Sequence, residues 1–181
     1  WQREFEVNFD AEVVGVIPQE TRVWGRSGIA RTELDYQSGL RGMIQSIKDA
    51  IRLAIGKGNA TLVLLDVTRS PLHRINFMLR VILRAIRVLN AQYDLIILDT
   101  NSHYKLVEAG KSLRDAREIT EDEVKARTQN GGINNNHGTI LYVTRGYTRG
   151  ITVTVRENAV ARVLTDNRSS LFDRAQAIDR I

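Results

Sequence analysis

Two aspartates stand where magnesium-dependent sites often place their carboxylates. Asp66 ends the apolar run 60–66, and Asp99 ends the apolar run 93–99. Mg²⁺ is bound by carboxylate oxygens of this kind. No Glu-x-Lys pattern follows in a neighbouring predicted strand, as the core of a restriction-type nuclease would require. We therefore expect both aspartates to cap the next element or to pair with arginine, and we expect neither a metal site nor a cofactor.

The histidines offer one acid–base alternative. The chain contains three of them, far apart in sequence and each expected to be an ordinary solvated side chain: His73, His103 and His137. His137 is followed by Thr144, Arg145 and Arg149. Histidine can transfer protons and arginine can stabilise the charge of a phosphorane. A small metal-independent ribonuclease is therefore one alternative function.

Other catalytic signatures are absent from the sequence. Gly56-Lys57-Gly58 contains a lysine, but it ends a helix and does not join a strand to one, which is the wrong context for a phosphate-binding loop. Neither G-x-S-x-G nor H-E-x-x-H occurs. The chain has no cysteine, which excludes disulfide scaffolds, cysteine zinc sites and thiol nucleophiles. The sequence favours a protein that is not an enzyme.

The composition is that of a folded chain. Of the 181 residues, 43% are hydrophobic and 26% are charged, which indicates one domain or two closely joined lobes. The net charge of +5 permits contact with nucleic acid. No apolar run approaches the roughly 20 residues of a membrane span. The first residues do not resemble a signal peptide but the middle of a strand, so we expect a segment to be missing upstream.

The longest element is a helix predicted over residues 33–56. Its apolar residues recur at three- and four-residue spacing on one face: Leu40, Met43, Ile44, Ile47, Ile51, Ala54 and Ile55. Gly56 and Gly58 then provide a C-cap, because glycine enters the left-handed region without strain. At about 1.5 Å per residue the helix is roughly 35 Å long. The rest of the chain is organised around it.

The elements on either side of this helix follow from local patterns. Residues 3–17 alternate as a strand, and 18–32 form an irregular connection. Strands are predicted at 60–66 and 93–99, and a helix begins at Ser70-Pro71 with Ser70 as N-cap. That helix has a basic stripe composed of Arg80, Arg84 and Arg87. A further helix is predicted to run to about residue 117, with Thr100, Asn101 and Ser102 as candidate caps.

The last third of the chain is predicted to be β-rich. Residues 119–124 form a short helical turn, and 125–138 form a long polar loop without periodicity. The strands 140–143 and 151–155 are predicted to form a hairpin. A further extended piece over 159–164 leads to a polar turn at Asp166-Asn167.

This order of elements resembles the major capsid proteins of tailed bacteriophages, whose Hong Kong bacteriophage-type fold is shared with encapsulin shells. The residues that match a segment of the family's axial domain are Asn90, Asp94, Leu95, Ile96, Asn101 and Tyr104. The strand GITVTV and the closing segment FDRAQAIDRI also fit the family. The chain departs from it in being shorter and in lacking an N-terminal arm.

The resemblance implies an α+β fold with four segments. Residues 1–32 would be the family's extended loop, reduced to little more than one arm, and 33–70 a peripheral domain containing the long helix. Residues 71–150 would be an axial domain of mixed α and β structure, and 151–181 would return as strands to the peripheral domain. The loop 125–138 would approach the symmetry axis of a pentamer or hexamer.

The function implied by the resemblance is structural. The chain would be a shell subunit that self-assembles into an icosahedral capsid, located in the virion after assembly in the host cytoplasm. Its partners would be copies of itself and packaged double-stranded DNA, bound without sequence preference, with no membrane and no small-molecule substrate. The candidate inter-subunit residues are Glu4, Glu6, Arg22, Arg26, Arg31, Asn130, Asn134, Asn135 and Asn136. The alternatives are an encapsulin compartment and a small basic ribonuclease or nucleic-acid-binding module.

Overall fold

The computed structural model describes residues 10–12, 33–69, 74–98, 103–129, 137–144, 159–166, 169–170 and 172. Within this part of the chain the helices are α1 (Glu33–Gly56), α2 (Ile75–Val88) and α3 (Glu121–Gln129), with a 3₁₀ turn at Leu113–Asp115. The strands are β1 (Asp10–Glu12), β2 (Leu62–Asp66), β3 (Tyr93–Leu98), β4 (Tyr104–Val107), β5 (Arg117–Ile119), β6 (Gly138–Val143) and β7 (Val160–Leu164).

The described strands form one mixed sheet in the order β1-β7-β2-β6-β3-β4-β5. The first five strands in this order, β1, β7, β2, β6 and β3, are parallel to one another. β4 pairs with β3 in the antiparallel direction, and β5 pairs with β4 in the same way. The mixture of helices and strands is as predicted. Because β2, β3, β6 and β7 are parallel, their carboxyl ends lie at the same end of the sheet.

The central strands are buried on both faces, which is typical of parallel sheets covered by helices. One face packs against α1 and α2, and the largest buried residues of this layer are Met43, Ile47, Ile51, Leu62, Leu64, Met78, Ile82, Tyr93, Leu95 and Tyr142. The opposite face includes Val63, Leu65, Ile96, Leu141, Val143 and Val163, with Ile119 of β5 and Val124 of α3. Alternate side chains along each strand therefore pack into two separate hydrophobic cores, one on each face of the sheet.

Helix α1 has the predicted bounds and the predicted buried face. Met43, Ile47 and Ile51 are fully buried, whereas Ile55 near the end of the helix is 38% exposed. Gly58, with φ +77°, adopts the left-handed conformation that the predicted cap requires. Periodicity within the segment is sufficient to predict this helix, because the residues on its buried face are those that the sequence pattern places together.

The predicted start of α2 is wrong. The helix begins at Ile75, and its N-cap residue Arg74 has an extended backbone (φ −67°, ψ 154°) and no side-chain cap hydrogen bond. Ser70, the predicted cap, lies outside the described residues. The chain just before it is held at the end of the sheet, since the backbone N–H of Arg69 donates to Asp166 at 3.0 Å.

The helix predicted to run to about residue 117 is also wrong. This segment forms β4, the 3₁₀ turn and β5, with β4 antiparallel to β3. Gly110 has φ +78° in the turn between β4 and the 3₁₀ helix. The edge of β3 offers unpaired backbone groups, and pairing with them outweighs a weak helical pattern.

The polar segment after residue 119 is more regular than expected. Lys125 to Gln129, predicted as loop, belong to α3, while 130–136 lie outside the described residues. The first strand of the predicted hairpin is present as β6, but its predicted pairing is wrong. β6 is paired with β2 on one side and with β3 on the other. The predicted second strand, 151–155, lies outside the described residues. The extended piece at 159–164 is β7.

Strands from all four predicted segments contribute to the single sheet. β1 comes from 1–32, β2 from 33–70, β3 to β6 from 71–150, and β7 from 151–181. β7 pairs with β2 in parallel, and the predicted division into peripheral and axial segments stays a prediction. β6 pairs with both β2 and β3 and so joins the peripheral and axial segments in one layer.

Because the phenol of Tyr93 is buried, we expect the protein to lose stability at alkaline pH. The Tyr93 hydroxyl donates to the carbonyl oxygen of Ala60 at 3.0 Å, and burial raises the pKa of the phenol above its ordinary value. In the unfolded chain the phenol of Tyr93 ionises at about pH 10, whereas in the folded chain it stays neutral at that pH. The contribution of this group should therefore lower the free energy of unfolding by about 1.4 kcal/mol per pH unit above pH 10. Urea unfolding at several alkaline pH values measures the slope. Tyr93→Phe should be less stable near neutral pH but should decline less steeply; an unchanged slope would contradict the assignment.

Candidate functional site

The carboxyl end of the parallel strands contains a cluster of buried polar side chains. In α/β sheets this end is the usual place for ligands. Its members within the described residues are Asp66, Thr68, Tyr142, Thr144 and Asp166, all buried. We call them the carboxyl-end cluster.

Asp66 is the centre of the carboxyl-end cluster. Its Oδ1 accepts hydrogen bonds from the backbone N–H of Thr68 at 2.9 Å and from the Thr68 hydroxyl at 2.5 Å. Its Oδ2 accepts a hydrogen bond from the Tyr142 hydroxyl at 2.5 Å. The aspartate therefore fixes the turn after β2 and joins it to β6. The expectation that Asp66 caps the next element or pairs with arginine stays a prediction, since its described hydrogen bonds join it to Thr68 and Tyr142.

Asp166 ties the end of β7 to the same turn. Its Oδ2 accepts from the backbone N–H of Arg69, and its Oδ1 accepts from the backbone N–H of Ser169 at 3.1 Å. The Ser169 hydroxyl donates in turn to the carbonyl oxygen of Val67 at 2.7 Å. Two segments that are distant in sequence are thus held together at the end of the sheet.

Thr144 differs from the other members in its hydrogen bonding. It is fully buried, and its Oγ1 has no hydrogen-bond partner. Its backbone N–H donates to the carbonyl oxygen of Leu98 at 3.4 Å, so the main chain is engaged while the side chain is not. A fully buried hydroxyl without a partner is uncommon in folded proteins.

A second candidate site lies on the exposed face of α2. Arg80, Arg84 and Arg87 are exposed there and form no ion pair with any carboxylate of the described chain. They line a groove of about 500 Å³, whose other lining residues are Leu83, Val88, Ser112 and Leu113. Val88 is 60% exposed. We call this the basic groove; it combines three guanidinium groups with an apolar floor.

No family model, curated protein or solved structure matches this chain. The function must therefore be argued from the geometry.

The predicted inter-subunit residues all lie outside the described part of the chain. They are Glu4, Glu6, Arg22, Arg26, Arg31, Asn130, Asn134, Asn135 and Asn136. The same holds for Asp99, His73 and Asn101. These expectations stay predictions.

Of the residues proposed for a ribonuclease, the two within the described part of the chain are not brought together. His137 precedes β6 at its amino end, and Thr144 follows it at its carboxyl end, so the two are about 23 Å apart along an extended strand. Arg145 and Arg149 lie outside the described residues. The prediction that His137 and Thr144 share a site is therefore wrong, because an extended strand keeps its two ends apart.

His137 lies instead near a buried ion pair at the amino end of the sheet. Asp94 Oδ2 accepts from Arg127 at 2.8 Å, and Asp94 Oδ1 accepts from the backbone N–H of Ala109 at 2.7 Å. The Nδ1 of His137 is 4.0 Å from Asp94 Oδ1. Asp94, which carries part of the family resemblance, thus has a structural role in joining β3 to α3.

A second acid in this network is partly exposed. Glu123 accepts from Arg117 at 2.8 Å and from Arg127 at 3.5 Å. The hydrogen bond from Arg117 lowers the pKa of Glu123 below its ordinary value. The arginines of this region are therefore engaged with carboxylates, in contrast to those of the basic groove.

The described residues show neither a metal-binding cluster nor a membrane-spanning helix. They contain no group of three or more histidine, cysteine, aspartate or glutamate side chains arranged to hold a metal ion. None of the helices in that part of the chain is long and apolar enough to cross a membrane.

Proposed function

We propose that this chain binds nucleic acid through the basic groove. The observation that carries the proposal is the set of three exposed arginines on one helical face, for which the described residues provide no acidic partner. Elsewhere, Arg52 is paired with Asp49, and Arg117 with Glu123. Clustered like charges repel one another unless an external anion neutralises them. The basic groove is therefore suited to a polyanion.

The spacing of the arginines fits a phosphate backbone. Arg80 and Arg84 are separated by about 6 Å along the helix axis, and Arg84 and Arg87 by about 4.5 Å. Guanidinium groups bind phosphates with two parallel hydrogen bonds. The apolar floor, with Leu83 and Val88, can contact a ribose or the face of a base. Such contacts give affinity with little sequence preference.

Replacing the three arginines tests this proposal. Arg80→Ala/Arg84→Ala/Arg87→Ala should weaken binding to a labelled DNA duplex by about tenfold or more at about 0.1 M salt. The plot of log affinity against log salt should become shallower by about 2–3 units, since three phosphate contacts are lost. Fluorescence anisotropy over a salt series measures both quantities, and circular dichroism checks the fold.

The control removes the same charge elsewhere. Arg41→Ala/Lys48→Ala/Arg52→Ala takes three positive charges from α1 and leaves the basic groove intact. It should change affinity only slightly. An equal loss of DNA affinity in both triple variants would show that binding depends on net charge alone. An unchanged affinity in the variant that lacks the three arginines of α2 would refute the proposal.

We also propose, as a second function, the shell subunit implied by the resemblance. It is supported by the element order, by the 24-residue α1 and by the pairing of β7 with β2, which returns the end of the chain to the segment after α1. In such a shell the basic groove would face packaged DNA. The Hong Kong bacteriophage-type arrangement and the virion location belong to this proposal.

Particle size distinguishes the two proposals. A shell subunit should elute as large uniform particles in size-exclusion chromatography and form closed shells in negative-stain microscopy. Nuclease-resistant DNA inside would support a capsid, and a protein cargo would support an encapsulin compartment. A protein that stays monomeric but binds DNA through the basic groove would refute the shell and retain the first proposal.

A further inference from the structure

The unpaired hydroxyl of Thr144 needs a partner that protein atoms do not supply. Thr144 is fully buried, and its Oγ1 makes no hydrogen bond. Buried polar atoms are nearly always bonded to protein, to an ordered water or to an ion. This oxygen therefore marks a position for a bound species at the carboxyl end of the sheet.

The pairing of β2 with β6 places Thr144 beside Asp66. Leu65 is opposite Val143 in the parallel register, so the next residues in the two strands, Asp66 and Thr144, are neighbours. Adjacent strands are about 4.8 Å apart. Because side chains alternate, both residues project to the face that contains Leu64 and Tyr142, whose side chains belong to the α1–α2 core. The unpaired hydroxyl is thus directed to the same space as the Asp66 carboxylate.

The groups around this space are hard oxygen donors. Asp66 accepts hydrogen bonds from the Thr68 hydroxyl through Oδ1 and from the Tyr142 hydroxyl through Oδ2. Asp166 lies two residues beyond Leu164, the register partner of Asp66 on the other side of β2. Carboxylate and hydroxyl oxygens favour Mg²⁺ or Mn²⁺ over softer metals, and Mg²⁺ commonly keeps several waters while using only one or two carboxylates.

We propose that the carboxyl-end cluster binds one divalent cation of the Mg²⁺ class. Thr144 Oγ1 and Asp66 are its nearest protein oxygens, and Asp166 contributes through a bound water. The hydrogen bonds to Asp66 fix the carboxylate before the ion arrives, so binding needs no rearrangement of the strands. This site is separate from the basic groove and does not depend on nucleic-acid binding.

The sequence alone argued against a metal at Asp66. Asp66 and Asp99 both end predicted strands, but no Glu-x-Lys pattern follows in a neighbouring predicted strand. The structure changes the argument because the oxygen beside Asp66 is a threonine hydroxyl from β6, which a search for carboxylate pairs does not find.

The test measures binding of the metal itself. Free Mn²⁺ is followed by electron paramagnetic resonance during titration of the full chain, with Mg²⁺ as competitor and Na⁺ at equal ionic strength as the reference. We expect one Mn²⁺ site that Mg²⁺ displaces. Thr144→Val should weaken Mn²⁺ binding by about tenfold or more, a typical loss when a group supporting a metal is removed. The same variant should melt at the wild-type temperature or higher without metal, since it removes an unpaired buried hydroxyl.

Two control variants separate this effect from general damage. Thr144→Ser keeps the hydroxyl and should retain most of the affinity. Thr139→Val makes the same substitution at the other end of β6 and should bind Mn²⁺ as the wild type does. Absence of a Mn²⁺ site in the wild-type protein, or equal affinity in Thr144→Val and the wild type, would overturn the proposal and leave an ordered water as the partner of Thr144.

Discussion

Asp94→Ala should reduce the free energy of unfolding by about 3–5 kcal/mol, the usual effect of breaking a buried ion pair from one side. Asp94 and Arg127 are both largely buried, with side chains that are 9% and 10% exposed. Removing the carboxylate leaves the guanidinium in a poorly solvated position and also removes the acceptor of the Ala109 N–H. Two carboxylates remain near Arg127, Glu123 at 3.5 Å and Glu108 at 4.0 Å, but both are more exposed than Asp94 and compensate only in part. Urea unfolding at neutral pH measures the loss.

The two partners of the ion pair can also be replaced together. Asp94→Leu/Arg127→Met substitutes apolar groups for both charges and should recover much of the stability lost in Asp94→Ala, because no charge stays buried alone. Arg117→Ala is the matched control, since its ion pair with Glu123 is half exposed and should contribute less than about 1 kcal/mol. A loss below about 1 kcal/mol in Asp94→Ala would show that water reaches Arg127 freely.

Gly138→Ala should destabilise the protein by about 2–4 kcal/mol, the sum of overpacking and a lost hydrogen bond. Gly138 lies opposite Tyr93 in the parallel register of β6 and β3. A Cβ at this position would overlap the ring carbons of Tyr93 well inside van der Waals contact. The ring must therefore move, which also strains its hydrogen bond to Ala60. Thermal or urea unfolding measures the effect.

Two further variants isolate the steric cause. Gly56→Ala adds the same methyl group at the end of α1, where nothing lies within 4 Å, and should be neutral or slightly stabilising. Tyr93→Leu combined with Gly138→Ala should cost less than the sum of the two single substitutions, because the smaller side chain leaves room for the methyl group. Additive losses would contradict a direct clash between residue 138 and the Tyr93 ring.

The proposed sites differ in how much of them the sequence revealed. The stripe of Arg80, Arg84 and Arg87 follows from helical periodicity, because all three residues belong to one element. Their lack of acidic partners and the groove beside Ser112 and Leu113 required the folded chain. The sequence predicts Asp66 at a strand end, but it predicts Asp166 only as part of a turn and Thr144 only as part of a ribonuclease set.

The sequence by itself determined the elements whose pattern is local. The bounds of α1 and the positions of β2, β3 and β7 follow from apolar periodicity, glycine and short buried runs. The tertiary structure decided what lies beside each element. It made strands of the predicted helix before residue 117, since β3 offered an edge. It also placed Asp94 against Arg127, and it paired the ends of β2 and β6 that precede Asp66 and Thr144. Periodicity records which face of a segment is buried, but partners distant in sequence are selected only when the whole sheet assembles.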